Sequence, residues 1–240
     1  MLEKCEGLTL RAIRYGDSSL ILKVYTLSHG LRSFIVSTSR KRKSKAHPAL
    51  SQVLHHVELV YYAHGKSNLK RIKEAHTLTY LEDIHFHPVK SCLCLFMAEV
   101  YGHLFEENDP APEFFKYQLK ALQWLEKAQH NYANWHLQVL FHNMYLLGFA
   151  PQPPQQEATY FDLQEGCFTN VQPLHPYFLK DNTLQAWNAL YKHPDFDEPP
   201  PQWNNLIRGH LLNALLHYYR LHVRDFGTLK SLDILHEVLR

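Results

Sequence analysis

The chain has 240 residues, 45% of them hydrophobic and 20% charged, with a formal net charge of +2. This composition excludes a disordered chain and supplies a sizeable core for one large or two small domains. The small total conceals a division: residues 1–80 carry 14 Lys and Arg against 5 Asp and Glu, a net of +9, and the remaining 11 against 18 give −7. A basic module beside an acidic one suits a polyanion-binding part joined to a part with another task.

Strand periodicity dominates the first 80 residues. Leu8, Leu10 and Ala12 alternate with Thr9, Arg11 and Ile13, and Tyr15-Gly-Asp-Ser18 supplies a turn. Leu20, Leu22 and Val24 form one face of a second strand, with Ile21, Lys23 and Tyr25 on the other. Ser28-His-Gly30 reads as a hairpin turn in which Gly30 takes positive φ. A third strand runs from Leu31 to Thr38, with Arg32, Phe34 and Val36 on one face. Val53 to Tyr62 makes a fourth, with Val53, His55, Val57, Leu59 and Tyr61 on one side; Gly65 turns it into a fifth, Leu69 to Ala75, carrying Lys70, Arg71 and Lys73. Five short strands with a long connection after the third predict a small closed barrel of the OB type.

That connection, Ser37 to His47, holds Arg40, Lys41, Arg42, Lys43 and Lys45, and no acid lies between Asp17 and Glu58. Such a run cannot be buried, and it repels itself unless an anion sits on it. Single-strand-binding barrels combine a cationic groove with aromatic faces for bases. Arg14, Lys23, Arg32, Lys70 and Arg71 supply further cations, and Tyr25 and Phe34 share strand faces with Lys23 and Arg32. The competing expectations are a solvated basic loop and, for the two aromatics, core packing.

From residue 81 onward the pattern is helical: Val89–Glu107, Pro112–His130, Ala133–Gly148, Thr183–Tyr191 and Leu206–Val223, with Thr228 as N-cap of a last helix that turns Leu229, Leu232, Leu235 and Val238 inward. Gly148 is expected as a C-cap, His85 to Pro88 as a linker or helix entry, Tyr160 to Val171 as a short hairpin, and 195–202 as a loop. The fold class is therefore α+β: an N-terminal five-stranded OB-fold β-barrel, residues 1–80, then a mostly helical domain with a short β-hairpin, residues 81–240.

The four cysteines, Cys5, Cys92, Cys94 and Cys167, form no C-x-x-C pair, so a disulfide framework is not expected and a reducing compartment is. The opening M-L-E-K-C-E-G has no apolar stretch of a signal peptide, and the longest apolar run, near Cys92–Ala98, is too short for a bilayer. The expected location is the cytoplasm.

The run R-x-I-R-Y-G-D-S-S-L-I-L-K-V-Y-T-L-S-H-G, a further strand, the basic loop and P-A-L-S-Q together resemble the amino-terminal domain of the RecO recombination mediators. Asp17-Ser18-Ser19, Thr26 to Gly30, Ser39 to Lys45 and Leu50-Ser51-Gln52 occupy the places of that family's motifs, with S-T-S-R for the usual K-G-A-R and Val53 for the usual proline. Farther on, L-F-H-N-M-Y-L-L-G-F-A-P and F-G-x-L-K-S-L-D-I-L-H-E are similar to its glycine-capped helix and its last helix. The resemblance implies a protein, not an enzyme, that binds single- and double-stranded DNA, anneals complementary strands and helps load the RecA recombinase onto strands coated by single-strand-binding protein. It also implies RecR as co-mediator and binding of the acidic, apolar C-terminal tail of single-strand-binding protein by the helical domain, with Lys116, Lys120 and Arg208 as candidates. The chain alone is expected as a monomer. Many members carry four zinc-binding cysteines after the glycine helix; here only Cys167 stands there, and His175 adds at most one ligand of the four a structural zinc needs, so no metal is expected.

Two other readings stay open. Eighteen histidines, among them His55-His56-x-Glu58, His85 with His87, and His217 with His222, allow a metal-dependent nucleic-acid-processing enzyme. No P-loop, G-x-S-x-G or H-E-x-x-H is present to support it. The other is an RNA-binding OB-fold adaptor.

Overall fold

The structure is a computed structural model that describes residues 1–37, 48–64, 67–154, 158–193, 196 and 203–239. Two compact units divide it: Met1–Glu126 with Leu229–Leu232, and Lys127–Thr228 with Asp233–Arg240. Five strands, β1 (Leu2–Tyr15), β2 (Ser19–Thr26), β3 (Gly30–Ser37), β4 (His56–Tyr62) and β5 (Leu69–Thr79), close into a barrel in the order β1-β2-β3-β5-β4. All pairs are antiparallel except β3 with β5, which run parallel. The five-stranded OB-type barrel read from alternation is thus the observed architecture.

The barrel interior is what the period-two pattern demands. Leu22 and Val24, Phe34 and Val36, and Val57, Leu59 and Tyr61 point inward with Cys5, Leu50 and Ile72. The Phe34 and Tyr61 rings meet edge to face at 5.3 Å. The Tyr61 hydroxyl leaves the core to donate to Glu3 Oε2 at 2.8 Å. Burial pushes the Cys5 thiol up to about 12, so it packs as an apolar side chain and is no nucleophile. The fourth strand starts at His56 and not at Val53, because Leu54 has φ +52 and cannot continue a strand. The fifth runs to Thr79, four residues past its expected end.

Three helices follow the barrel. His85 to Pro88, expected as a linker or helix entry, closes a short helix, α1 (Glu82–Phe86), and enters the next at Pro88; the opening N–H groups of α1, Asp83 and Ile84, each donate 2.9 Å to the Glu126 carboxylate. α2 (Pro88–Leu104) is apolar on nearly every side and accordingly buried. Its one buried cation, Lys90, donates to Asp83 and to the Glu126 carbonyl. Between α2 and α3 (Pro112–Lys127), residues 105–111 strap onto the β2–β3 hairpin. Gly30 bridges to Glu107 there, and a Cβ on it would stand 2.3 Å from the Asp109 carbonyl oxygen; with φ +64, only glycine fits this turn.

The second unit contains α4 (Trp135–Leu146), α5 (Asp181–Lys192) and α6 (Asn205–His222). Gly148 closes α4 with φ +80: its N–H donates to Tyr145, and Phe149 N–H donates to Met144, the paired bonds of a Schellman cap. The expected hairpin is larger than two strands: β6 (Tyr160–Asp162), β7 (Cys167–Thr169) and β8 (Phe178–Leu179) form a sheet in the order β7-β6-β8. Phe161 anchors it, 4.8 Å from the Phe168 ring and 4.9 Å from Trp187 on α5. The last helix, α7, is Ser231–Val238, and Thr228 is not its cap. The Glu99 carboxylate takes that role by accepting from Lys230 N–H at 3.0 Å and Ser231 N–H at 2.8 Å. Leu229 and Leu235 are buried as expected, whereas Val238 is exposed. Of the loop 195–202, only Phe196 lies within the described residues.

Candidate nucleic-acid interface

The outer face of the barrel sets out its side chains in rungs fixed by strand register. One rung runs Ile13–Ile21–Ile35–Arg71–Tyr62 across all five strands, from β1 through β2, β3 and β5 to β4. Ile13 is 40% exposed and Tyr62 38%. Arg11 pairs with Lys23, which pairs in turn with Ser33, in a second rung, and Tyr15, Ser19 and Ser37 form a third. The face therefore carries an apolar and aromatic stripe beside a cationic one.

Arg11 and Lys23 stand directly opposite each other, both exposed. Like charges in that position destabilise a sheet, and a shared anion removes the penalty. Among the described residues neither forms an ion pair. Four of the five acids in residues 1–80 are engaged elsewhere: Glu58 with Lys4 at 3.0 Å, Glu6 with His56 at 2.8 Å, Glu3 with Tyr61, and Glu74 with Lys73 at 3.5 Å; the fifth, Asp17, is exposed between β1 and β2. β3 ends at Ser37, and the five cations of the basic run follow in the next eight residues.

The residues expected from sequence are distributed unevenly over this surface. Lys23 and Arg71 are exposed on it, whereas Arg14, also exposed, pairs with Leu20 in register with the inward-facing Val36 and so lies off this face. Lys70 is half-buried and donates to the Ala63 carbonyl at 3.2 Å. Arg32 is half-buried and donates to Asn108 Oδ1 at 3.1 Å, so its guanidinium holds the 105–111 strap. Arg40, Lys41, Arg42, Lys43 and Lys45 lie outside the described residues. Tyr25 and Phe34 require correction as base-stacking platforms, since they are 1% and 0% exposed. Phe34 points into the barrel. Tyr25 is on the outer face, as its alternation with Val24 requires, but Phe105, Phe114 and Phe115 cover it at centroid distances of 4.3, 5.5 and 6.3 Å. Its hydroxyl accepts from Ala111 N–H at 2.9 Å, and burial pushes its pKa up to about 12.

Three members of the face escaped the sequence reading. Arg11 was visible as a cation but gains meaning only through its register with Lys23. Tyr15 sits at a strand end, and Tyr62 follows the inward Tyr61 by one residue, so the period of two already placed its ring outside.

Several of the histidines hold the fold. His56, nearly buried, sits between Glu6 Oε1 and Thr79 Oγ1, each 2.8 Å away. His55 Nε2 is 3.0 Å from Thr77 Oγ1, and its ring packs 5.6 Å from that of His85. His222 Nε2 donates to the Leu163 carbonyl at 2.8 Å. Among the described residues no three His, Cys, Asp or Glu side chains gather as a metal site, and no helix is long and apolar enough to cross a membrane.

Comparison with known proteins agrees with this architecture. The family model described as Recombination protein O N terminal matches residues 1–81, and that described as Recombination protein O C terminal matches residues 85–233. The chain is 35% identical over 240 residues to a protein of Phocaeicola vulgatus named DNA repair protein RecO, covering 99% of each chain. Proteins of the same name from Bacteroides fragilis and Flavobacterium psychrophilum are 33% and 32% identical, the first over 99% and the second over 98% of each chain. The chain belongs to the recombination protein O family.

Proposed function

We propose that the chain is a DNA repair and recombination mediator that works by holding DNA strands on its barrel, with no bond chemistry of its own. The observation that carries this reading is the unneutralised Arg11–Lys23 pair beside the Ile13–Tyr62 rung, on the strand system that leads into the basic run. Phosphates of one strand bind the cations, with release of counterions, and a second strand binds the same field. Two strands that repel each other in solution are thereby brought within pairing distance, and annealing follows from neutralisation and alignment. The same surface accepts single and double strands because phosphate contacts carry no sequence information.

The mediator works in the cytoplasm with RecR to place RecA on strands coated by single-strand-binding protein. A cavity of about 310 Å3 in the second unit, lined by Leu206, Arg208, Leu212, Leu235, His236 and Leu239, joins apolar walls to a guanidinium. That chemistry suits the acidic, apolar tail of single-strand-binding protein. On the same chemistry Arg208 is a better candidate than Lys116, which is exposed and 2.7 Å from Glu113.

Replacing Arg11, Lys23 and Arg71 together with Ala tests the surface. Each lost phosphate contact lowers the slope of log affinity against log salt by about 0.7 for a single strand, so the triple variant is expected to lose about 2 in slope with its fold intact. An unchanged slope would remove the outer face as the site. Tighter binding of structured RNA than of single-stranded DNA by the unaltered protein would favour an RNA adaptor.

A further inference from the structure

Beside the end of the apolar rung lies a cleft of about 340 Å3 walled by Tyr62, His64, Ser67, Leu69, Lys70 and Arg71. That is near the lower bound of the range for small-ligand clefts, ~300–1,000 Å3. No acid lines it. Tyr62 is partly exposed, whereas Tyr61 is fully buried. The His64 ring stands nearly perpendicular to it, with centroids 5.9 Å apart and planes at 80°, which orients the phenol without a stacked protein partner. Arg71 is the cross-strand neighbour of Tyr62, and the bond from Lys70 Nζ to Ala63 O holds that ammonium beside the residue that follows Tyr62. An aromatic ring flanked by two cations matches the three parts of a nucleotide strand that are available when the base is unpaired: a base face and the phosphates on either side of it.

We propose that this cleft receives one unpaired nucleobase of a bound strand, stacked on Tyr62, with an adjoining phosphate on Arg71 and Lys70. The proposal rests on the DNA-binding reading above and adds to it a means of telling a single strand from a duplex. The phosphate-binding cations accept either form, but a base inside a duplex has both faces occupied by its neighbours and cannot enter. The site works without the basic run, so its contribution is separable from that of the run.

The test compares Tyr62→Ala and Tyr62→Phe with the unaltered protein, at one salt concentration, on a single-stranded oligonucleotide carrying 2-aminopurine and on a duplex of equal length. Tyr62→Ala is expected to weaken single-strand binding about 10-fold and duplex binding less than about twofold, from the stacking contribution of one base. The 2-aminopurine fluorescence change is expected with the unaltered protein and Tyr62→Phe, and to be lost with Tyr62→Ala. Tyr62 is 38% exposed, so melting temperatures are measured on both variants, and Tyr62→Phe, which keeps the ring and its packing, is expected to keep single-strand affinity. Equal losses on both substrates, or no loss and an unchanged fluorescence response, would overturn the cleft while leaving DNA binding in place. An unaltered protein that binds neither substrate would overturn the DNA-binding reading, and the cleft with it.

Discussion

Phe34→Ala is expected to cost the barrel about 3–5 kcal/mol, because it removes a fully buried ring and leaves a cavity that the strands can only partly close. Against a total stability of about 5–15 kcal/mol for a typical domain, this brings the barrel close to unfolding. The ring lies against Tyr61 and among Val24, Val36 and Leu59, so no neighbour is a flexible surface chain able to fill the space. Phe34→Leu separates packing from base stacking. It keeps most of the volume and is expected to cost less than about 1.5 kcal/mol. Its affinity for single-stranded DNA should be unchanged. A stacking platform would behave oppositely and lose about 1–3 kcal/mol of binding with the fold intact. A urea melt and a DNA titration on both variants decide the matter.

Replacing Arg40, Lys41, Arg42 and Lys43 with Ala is expected to give the largest loss of DNA affinity available without loss of stability. Four cations occupy consecutive positions in the sequence, and the chain offers no acid between Asp17 and Glu58 to neutralise them. If each holds one phosphate of a single strand, the salt slope falls by about 3. Weaker binding should therefore be most visible at low salt and fade as salt rises. A variant with an unchanged slope and affinity would return the run to a solvated loop. A variant that melts earlier than the unaltered protein would show that these side chains support the fold.

The barrel was legible because its strands alternate over most of their length. Leu22 and Val24, Phe34 and Val36, and Val57, Leu59 and Tyr61 each mark an inward face with a period that no helix shares. Gly30 and Gly148 were legible because both lie at positions where only left-handed backbone closes a turn or a helix. The interface was less so. Tyr25 has the alternation of an exposed residue, and what covers it comes from Phe105, Phe114 and Phe115, some 80 to 90 residues later in the chain. No local pattern carries that information. The same holds for the cap of α7, where Thr228 is a good local candidate and Glu99 from α2 takes the place. Arg11 required register: only the pairing across the Tyr15–Ser19 turn sets it against Lys23. Tyr62 was within reach, because a strand that buries Tyr61 must expose its neighbour.

Annealing of complementary single strands by the purified protein, followed over a salt series with and without EDTA, tests the central claim most directly. The account predicts annealing that weakens steeply as salt rises and is indifferent to EDTA, since neutralised phosphates and no metal bring the strands together. Absence of both annealing and DNA binding at low salt would contradict it and leave the basic barrel without a nucleic-acid role.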